Sequence, residues 1–378
     1  MKRRLSTLRE FMANESSSGI VLAAAALLGM VVANTTLSSS YFETLDKKFV
    51  LDAGAFYLSL TTQKFINYLL MTLFFFVVGL EIKNELVSGH LAKFSAAITP
   101  FIAALGGMAI PALIYLAISG NEAPAGWAVP VATDIALAVG LVTLMGSRVS
   151  LALKSFLLAL AVIDDIGAIL IIAFIYSTGV IFSWLAAAVI AIATAVLLAK
   201  FNVGRGFIYL LVGAVLWYSL YRAGIHPTLA GVIMGLIVPF SLDSKIHTAS
   251  SFLVVPLFAF ANAGVVISHE SVQAALNSKV AWGIFFGLFI GKPLGIVFST
   301  LAAARLRVGQ MPEGAKIASL TATGSAAGIG FTVAIFLARL AFDDVAMQEL
   351  AIIAVIAASL ASGIVSALLY RTTSRLTN

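Results

Sequence analysis

Two neighbouring carboxylates stand in the middle of an apolar run, Leu160-Ala161-Val162-Ile163-Asp164-Asp165-Ile166-Gly167-Ala168-Ile169-Leu170. The run extends from Leu151 to Ile175, long enough to cross a bilayer, which takes ~20 residues at 1.5 Å each. A charged side chain at that depth costs at least ~2.5–3.5 kcal/mol on the lenient insertion scale. Two of them demand compensation, by partners or by a bound cation. Neighbouring carboxylates in a low dielectric titrate as one unit. Such a pair can hold protons, or release them and take up a monovalent cation on hard oxygen ligands. The hydroxyl of Thr133 is a further oxygen for that ligand set, so the candidate metal ligands for Na+ are Asp164 and Asp165, helped by Thr133.

The other ionisable groups in mid-membrane are few: Asp134 and Lys292. Successive positions on a helix point about 100° apart, so Asp164 and Asp165 cannot share one face. One can meet a neighbouring helix while the other faces a cavity. Lys292, in Phe289-Ile290-Gly291-Lys292-Pro293-Leu294-Gly295, is the one basic residue at that depth and the natural partner of one aspartate. A purely structural ion pair would account for that aspartate and the lysine. It would leave the second aspartate and Asp134 without a counter-charge.

Two helices look interrupted near these residues. Pro130 precedes Val131-Ala132-Thr133-Asp134 in the fourth apolar segment, and proline removes a backbone donor. Gly324-Ser325-Ala326-Ala327-Gly328-Ile329-Gly330-Phe331-Thr332 puts three glycines in the eleventh, which invites unwinding or close packing through small residues. Broken membrane backbone is tolerated only where it is buried or lines a cavity. Paired interruptions in two halves of a chain point to a transporter's binding site. Where two broken helices cross, an anion compensates facing N-termini and a cation facing C-termini. Asp134 fits the first role and Lys292 the second.

Composition sets the frame for these elements. The 378 residues are 61% hydrophobic and 11% charged, with a mean hydropathy of +1.06; a soluble domain carries about 25% charge. The fold class is therefore an all-α polytopic membrane protein in a lipid bilayer. Twelve spans are expected near 18–34, 63–82, 94–118, 126–144, 150–175, 180–199, 205–221, 225–239, 250–268, 280–303, 315–340 and 348–370. Between the first two, Phe49 to Leu58 has the pattern of a β-hairpin turning at Asp52-Ala53-Gly54. An exposed hairpin edge can pair with a second copy, which points to a homodimer. The net charge of +6 falls at the ends of apolar runs and calls for no nucleic acid. With twelve spans, sixteen Lys and Arg lie on the side holding both termini and six on the other, which makes the termini cytoplasmic. The polar stretch Ala13 to Ser18 argues against a cleaved signal, and Ser18 is a candidate N-cap for the first span. The absence of cysteine excludes disulfides and thiolate metal sites. No enzyme motif and no cofactor motif is present.

Taken together, Ala161 to Ala168, Ala132-Thr133-Asp134-Ile135-Ala136, Pro256 to Gly264, Gly291 to Gly295 and Gly328 to Thr332 resemble the bacterial NhaA-type Na+/H+ antiporters, in the right order and over nearly the whole chain. That resemblance implies inverted repeats with the fourth and eleventh helices broken near the ion site. It implies a single transporter domain, with core helices near 94–175 and 280–370 and interface helices near 18–82 and 180–268. It also implies exchange of cytoplasmic Na+ or Li+ for external H+ across the cell's inner membrane, by a homodimer without cofactor, for sodium and pH homeostasis. Asp165 resembles the principal cation ligand, and Asp164 its neighbour, paired with Lys292 in one state. Glu81, Glu85, His226 and Asp243 match the charged groups tied to activation at alkaline pH; on sequence alone His226, before Pro227, reads instead as a helix-start residue at the membrane edge. Asn84 stands where many relatives carry arginine, Tyr68 where an acid is frequent, and the loop after the eighth span is short; each bears on the pH profile. The alternatives are a Na+-coupled symporter of similar fold, an intramembrane aspartyl protease and a channel. The symporter would need polar groups for an organic solute, and beyond Asn262 the broken helices offer few.

Overall fold

The computed structural model describes residues 15–373 apart from 55, 178 and 240–243. In chain order the helices are α1 (Glu15–Ala33), α2 (Ser38–Asp46), α3 (Thr62–Val87), α4 (Phe94–Ser119), α5 (Ile135–Leu144), α6 (Leu151–Phe174), α7 (Phe182–Lys200), α8 (Gly206–Ala223), α9 (Leu229–Ile237), α10 (Ile246–Ala263), α11 (His269–Asn277), α12 (Lys279–Arg305), α13 (Ile317–Ala327), α14 (Phe331–Ala341) and α15 (Val345–Thr373). Among the described residues nine segments are long and apolar enough to cross a membrane, or eleven if each of two bent pairs counts as one span. Large apolar residues such as Leu27, Ile190, Leu210 and Leu360 are exposed along these helices, the surface a lipid-facing helix requires. The chain is a multi-pass membrane protein.

The eighth expected span differs. It is α9, nine residues long, about 14 Å at the helical rise and too short to cross by itself. The excursion after α1 also holds more structure than its polarity implied, since α2 turns 109° from α1 within it. The hairpin is present as β1 (Lys48–Ala53) and β2 (Phe56–Thr61), antiparallel, in register from Lys48 opposite Thr61 to Ala53 opposite Phe56. Ser18 does not begin α1, which is already helical from Glu15.

The described residues fall into two compact units, the first within Met1–Ala24, Ser88–Ala168 and Val265–Asn378, the second within Ala25–Val87 and Ile169–Gly264. The first holds all four mid-membrane ionisable groups singled out above. In it, α4 and α12 approach until a Cβ on Gly295 would lie 2.2 Å from the Gly106 carbonyl oxygen, so only glycine fits that crossing. A buried apolar cluster built from Ala138, Val142, Leu157, Leu160, Ile163, Ile296, Leu320 and Ala326 joins α5, α6, α12 and α13. The second unit contains the hairpin, α7 to α10 and all of α3. There Asn262 on α10 donates to Asn67 Oδ1 at 2.7 Å and to the Phe258 carbonyl at 2.9 Å.

Among the described residues three helices carry a π-turn: α3 at Ile66–Leu70, α10 following Ala249 at Ser250–Val254, and α12 at Gly287–Gly291. Such a turn inserts one residue and re-aims the side chains beyond it. In α12 the Lys292 N–H bonds back to Gly287, and the turn thereby sets the direction from which the lysine leaves its helix.

Candidate ion-binding site

The fourth apolar segment breaks as its proline predicts. A 3₁₀ stretch, Pro124–Val131, gives way to extended backbone at Ala132 and Asp134 before α5 begins. The eleventh breaks between α13 and α14, which bend by 49° across Gly328–Gly330. Gly328 and Gly330 keep right-handed backbone angles, so their freedom in φ is not what the break uses. Close approach is: a Cβ on Gly328 would meet the Leu288 carbonyl oxygen at 2.7 Å, and one on Gly330 would meet the Ala132 carbonyl oxygen at 3.1 Å.

The two breaks are stitched together. The Asp134 N–H donates to the Ile329 carbonyl at 2.7 Å. Asp134 Oδ1 accepts from the Leu137 N–H at 3.0 Å, capping α5. Asp134 Oδ2 accepts from both the N–H and the hydroxyl of Thr332, in the first turn of α14. One carboxylate therefore serves two helix N-termini, where unpaired N–H groups and the partial positive charge of the helix concentrate. At the opposite ends, Lys292 Nζ donates to the carbonyl of Val131, the last residue of the 3₁₀ stretch. The Ala327 carbonyl, at the end of α13, accepts from Thr133 Oγ1 at 2.9 Å.

Lys292 Nζ also lies 2.7 Å from Asp164 Oδ2. Thr133 Oγ1 is 2.8 Å from the same oxygen. The Thr133 hydroxyl has one hydrogen and two acceptors in reach, Asp164 and the Ala327 carbonyl, so it can satisfy only one at a time. Ionised Asp164 accepts that hydrogen. Protonated Asp164 can donate to Thr133 instead, and the hydroxyl then turns to Ala327. Asp164 Oδ1 is buried without a hydrogen-bond partner among the described residues. Asp165, one residue on, is 2% exposed, and Thr133 and Lys292 are fully buried. Asp134, Asp164 and Asp165 are thus buried in the same unit as Lys292, whose ammonium pairs with Asp164. Among the described residues no three His, Cys, Asp or Glu cluster as a polyvalent metal site would need.

The remaining predicted residues lie elsewhere. Glu81 and Glu85 are on α3, in the second unit; Glu81 Oε1 is 3.4 Å from His247 Nε2, and neighbouring Lys83 donates to the Val238 carbonyl. His226 is buried before α9, with Nδ1 2.7 Å from Thr228 Oγ1 and the Tyr68 ring edge-on at 5.0 Å. Asp243 lies outside the described residues. Sequence reasoning did not single out Thr332 as a site residue. The available signal was its place just past the glycine break, at the start of a half-helix.

With that geometry, similarity to known proteins becomes decisive. Residues 9–370 match the family described as Na+/H+ antiporter 1. The chain belongs to that family. A relative from Klebsiella pneumoniae subsp. pneumoniae, Na(+)/H(+) antiporter NhaA 1, is 44% identical over 386 aligned positions, covering 98% of each chain. Na(+)/H(+) antiporter NhaA 2 of Pseudomonas syringae pv. tomato is 44% identical over 354, covering 90% of this chain and 88% of its own. Na(+)/H(+) antiporter NhaA of Escherichia coli O1:K1 / APEC is 44% identical over 351, covering 89% and 90%. The resemblance read from the motifs is borne out. The symporter alternative has no support among these Na+/H+ antiporter relatives.

Proposed function

We propose that this chain is a secondary active antiporter that exchanges cytoplasmic Na+ or Li+ for external H+, with no cofactor and no covalent catalysis. The observation that carries the reading is the buried site at the crossing. Asp164 and Asp165 lie beside an oxygen-rich break, and the single ammonium of Lys292 already neutralises one of them. A proton and an alkali cation each bring one positive charge to the same oxygens. They therefore compete, and competition at a site opened in turn to each side yields exchange.

In this reading Asp165 and Asp164, with the Thr133 hydroxyl, bind the cation. Lys292 holds Asp164 when the cation is away, and Asp134 with Lys292 balances the four helix ends. If a cycle moves net charge, the membrane potential contributes ~2.3 kcal/mol per charge per 100 mV. Membership of the family supports the bacterial inner membrane, and the Lys and Arg distribution supports cytoplasmic termini. The exposed β1 strand, with Phe49, Val50 and Leu51 uncovered, supports assembly as a homodimer through the hairpin. Helices near 94–175 and 280–370 form the transporting core, and those near 18–82 and 180–268 the interface part. Glu81, Glu85, His226 and Asp243 are the groups proposed to set the pH response, and the Glu81 contact with His247 adds one titratable partner to that set. Reconstitution tests the reading: Na+ added to proteoliposomes carrying an imposed pH gradient must collapse it, and no collapse at any pH would end the proposal.

A further inference from the structure

The exchange reading uses α4, α5, α6 and α12 to α14, and leaves the buried polar face of α15 unexplained. Ser359, Ser362, Ser366 and Tyr370 recur three, four and four residues apart, one face of a helix. All four are buried. Each aims at the broken helix. Ser359 Oγ accepts from the Phe331 N–H at 3.2 Å, and Phe331 is the first residue of α14. Ser362 Oγ would lie 2.9 Å from a Cβ on Gly328, at the end of α13. Ser366 Oγ donates to the Ala322 carbonyl at 2.8 Å, and the Tyr370 hydroxyl pairs with Thr323 Oγ1 at 2.7 Å, both further back along α13.

The start of α14 is thus capped from outside its own chain segment. Gly330, in the N-cap place, has no side chain to do it. Two successive orphan donors are shared between two other helices: the Phe331 N–H goes to Ser359, and the Thr332 N–H goes to Asp134. Losing the first leaves a buried donor unpaired and lets the first turn of α14 move. That turn carries Thr332, which fixes Asp134, and Asp134 lies next to Thr133, whose hydroxyl lies 2.8 Å from Asp164.

We propose that Ser359 is a positioning residue for cation exchange: its hydroxyl holds the N-terminus of α14 at the angle that fixes Asp134 and, through it, the Thr133–Asp164 contact. The proposal rests on the exchange reading. The test is Na+-driven proton movement in proteoliposomes, measured for wild type, Ser359→Ala, Ser359→Thr and Ser366→Ala. Ser366→Ala removes a buried side-chain to backbone hydrogen bond on the same helix face but away from the break, so it reports plain destabilisation. The expected result is a rise of about tenfold in the apparent KM for Na+ in Ser359→Ala, the effect of one such bond coupled to binding. The maximal rate stays near that of wild type, Ser359→Thr recovers the wild-type KM, and Ser366→Ala leaves KM unmoved. An unchanged KM in Ser359→Ala, or an equal rise in Ser366→Ala, overturns the positioning role. Should Ser359→Ala fail to fold, Ser359→Cys, which keeps the size and a weak acceptor, is held to the same two outcomes. Wild type without exchange would instead end the functional reading, so the two failures are distinguishable.

Discussion

Lys292 Nζ and Asp164 Oδ2 are 2.7 Å apart, and neither side chain exposes any surface. The second bond of the ammonium, to the Val131 carbonyl, ties this pair to the end of the broken fourth segment. A buried pair adds little net stability because both charges gave up water, but breaking it strands whichever charge remains.

Lys292→Ala is therefore expected to destabilise the protein by about 3–5 kcal/mol, the usual cost of orphaning a buried charge. Asp165→Asn is expected to cost less, since an amide keeps the shape and one acceptor oxygen and leaves the Lys292–Asp164 pair in place. Adding Asp164→Asn to Lys292→Ala should recover part of the loss. Thermal melting in detergent gives the order, and a lower melting point for Asp165→Asn than for Lys292→Ala would contradict the pairing.

Thr133 links Asp164 to the end of α13 through one hydroxyl. Thr133→Ser keeps that hydroxyl and is expected to keep the wild-type KM for Na+. Thr133→Val keeps the shape and loses the oxygen, and its KM should rise about tenfold, the worth of a hydrogen bond to a charged group. Equal behaviour of the two variants in a transport assay would remove Thr133 from the site.

Asp134 caps α5 and α14 together. Each cap is worth about 0.5–2 kcal/mol, so Asp134→Ala is expected to lower stability by about 1–4 kcal/mol. Asp134→Asn keeps one acceptor oxygen and should lose less. Melting curves read the difference directly, and indifference to both changes would mean the two N-termini are compensated by something else.

Much of this architecture is legible in the chain, because the signals are local. Apolar runs locate the spans, Pro130 locates one break, the glycines near Gly328 locate the other, and lone charges in apolar runs locate Asp134, Asp164, Asp165 and Lys292. Beyond the pairing of Lys292 with an aspartate, what the chain does not announce is which distant residues meet. Asp134 and Thr332 are 198 residues apart, and nothing near either one names its partner. Ser359, which meets Phe331 across 28 residues, reads as one more small residue in an apolar helix, where serine is ordinary packing. The helix α2 escapes notice because Ser38-Ser39-Ser40 reads as a loop. The short α9 is overextended because its apolar residues continue past its end at Ile237.

Asp165→Asn is expected to abolish exchange while the protein stays folded, since an amide can neither release a proton nor balance a cation's charge. Gel filtration and melting establish the fold, and full Na+-driven proton movement in that variant would remove Asp165 from the centre of the account.

The most direct measurement is calorimetric titration of the purified protein with Na+ across the neutral to alkaline range. Competition for the same carboxylates predicts that binding releases protons, and that the apparent dissociation constant rises about tenfold per pH unit lowered for each proton displaced. A sodium affinity that stays constant with pH, with no proton released, would contradict it.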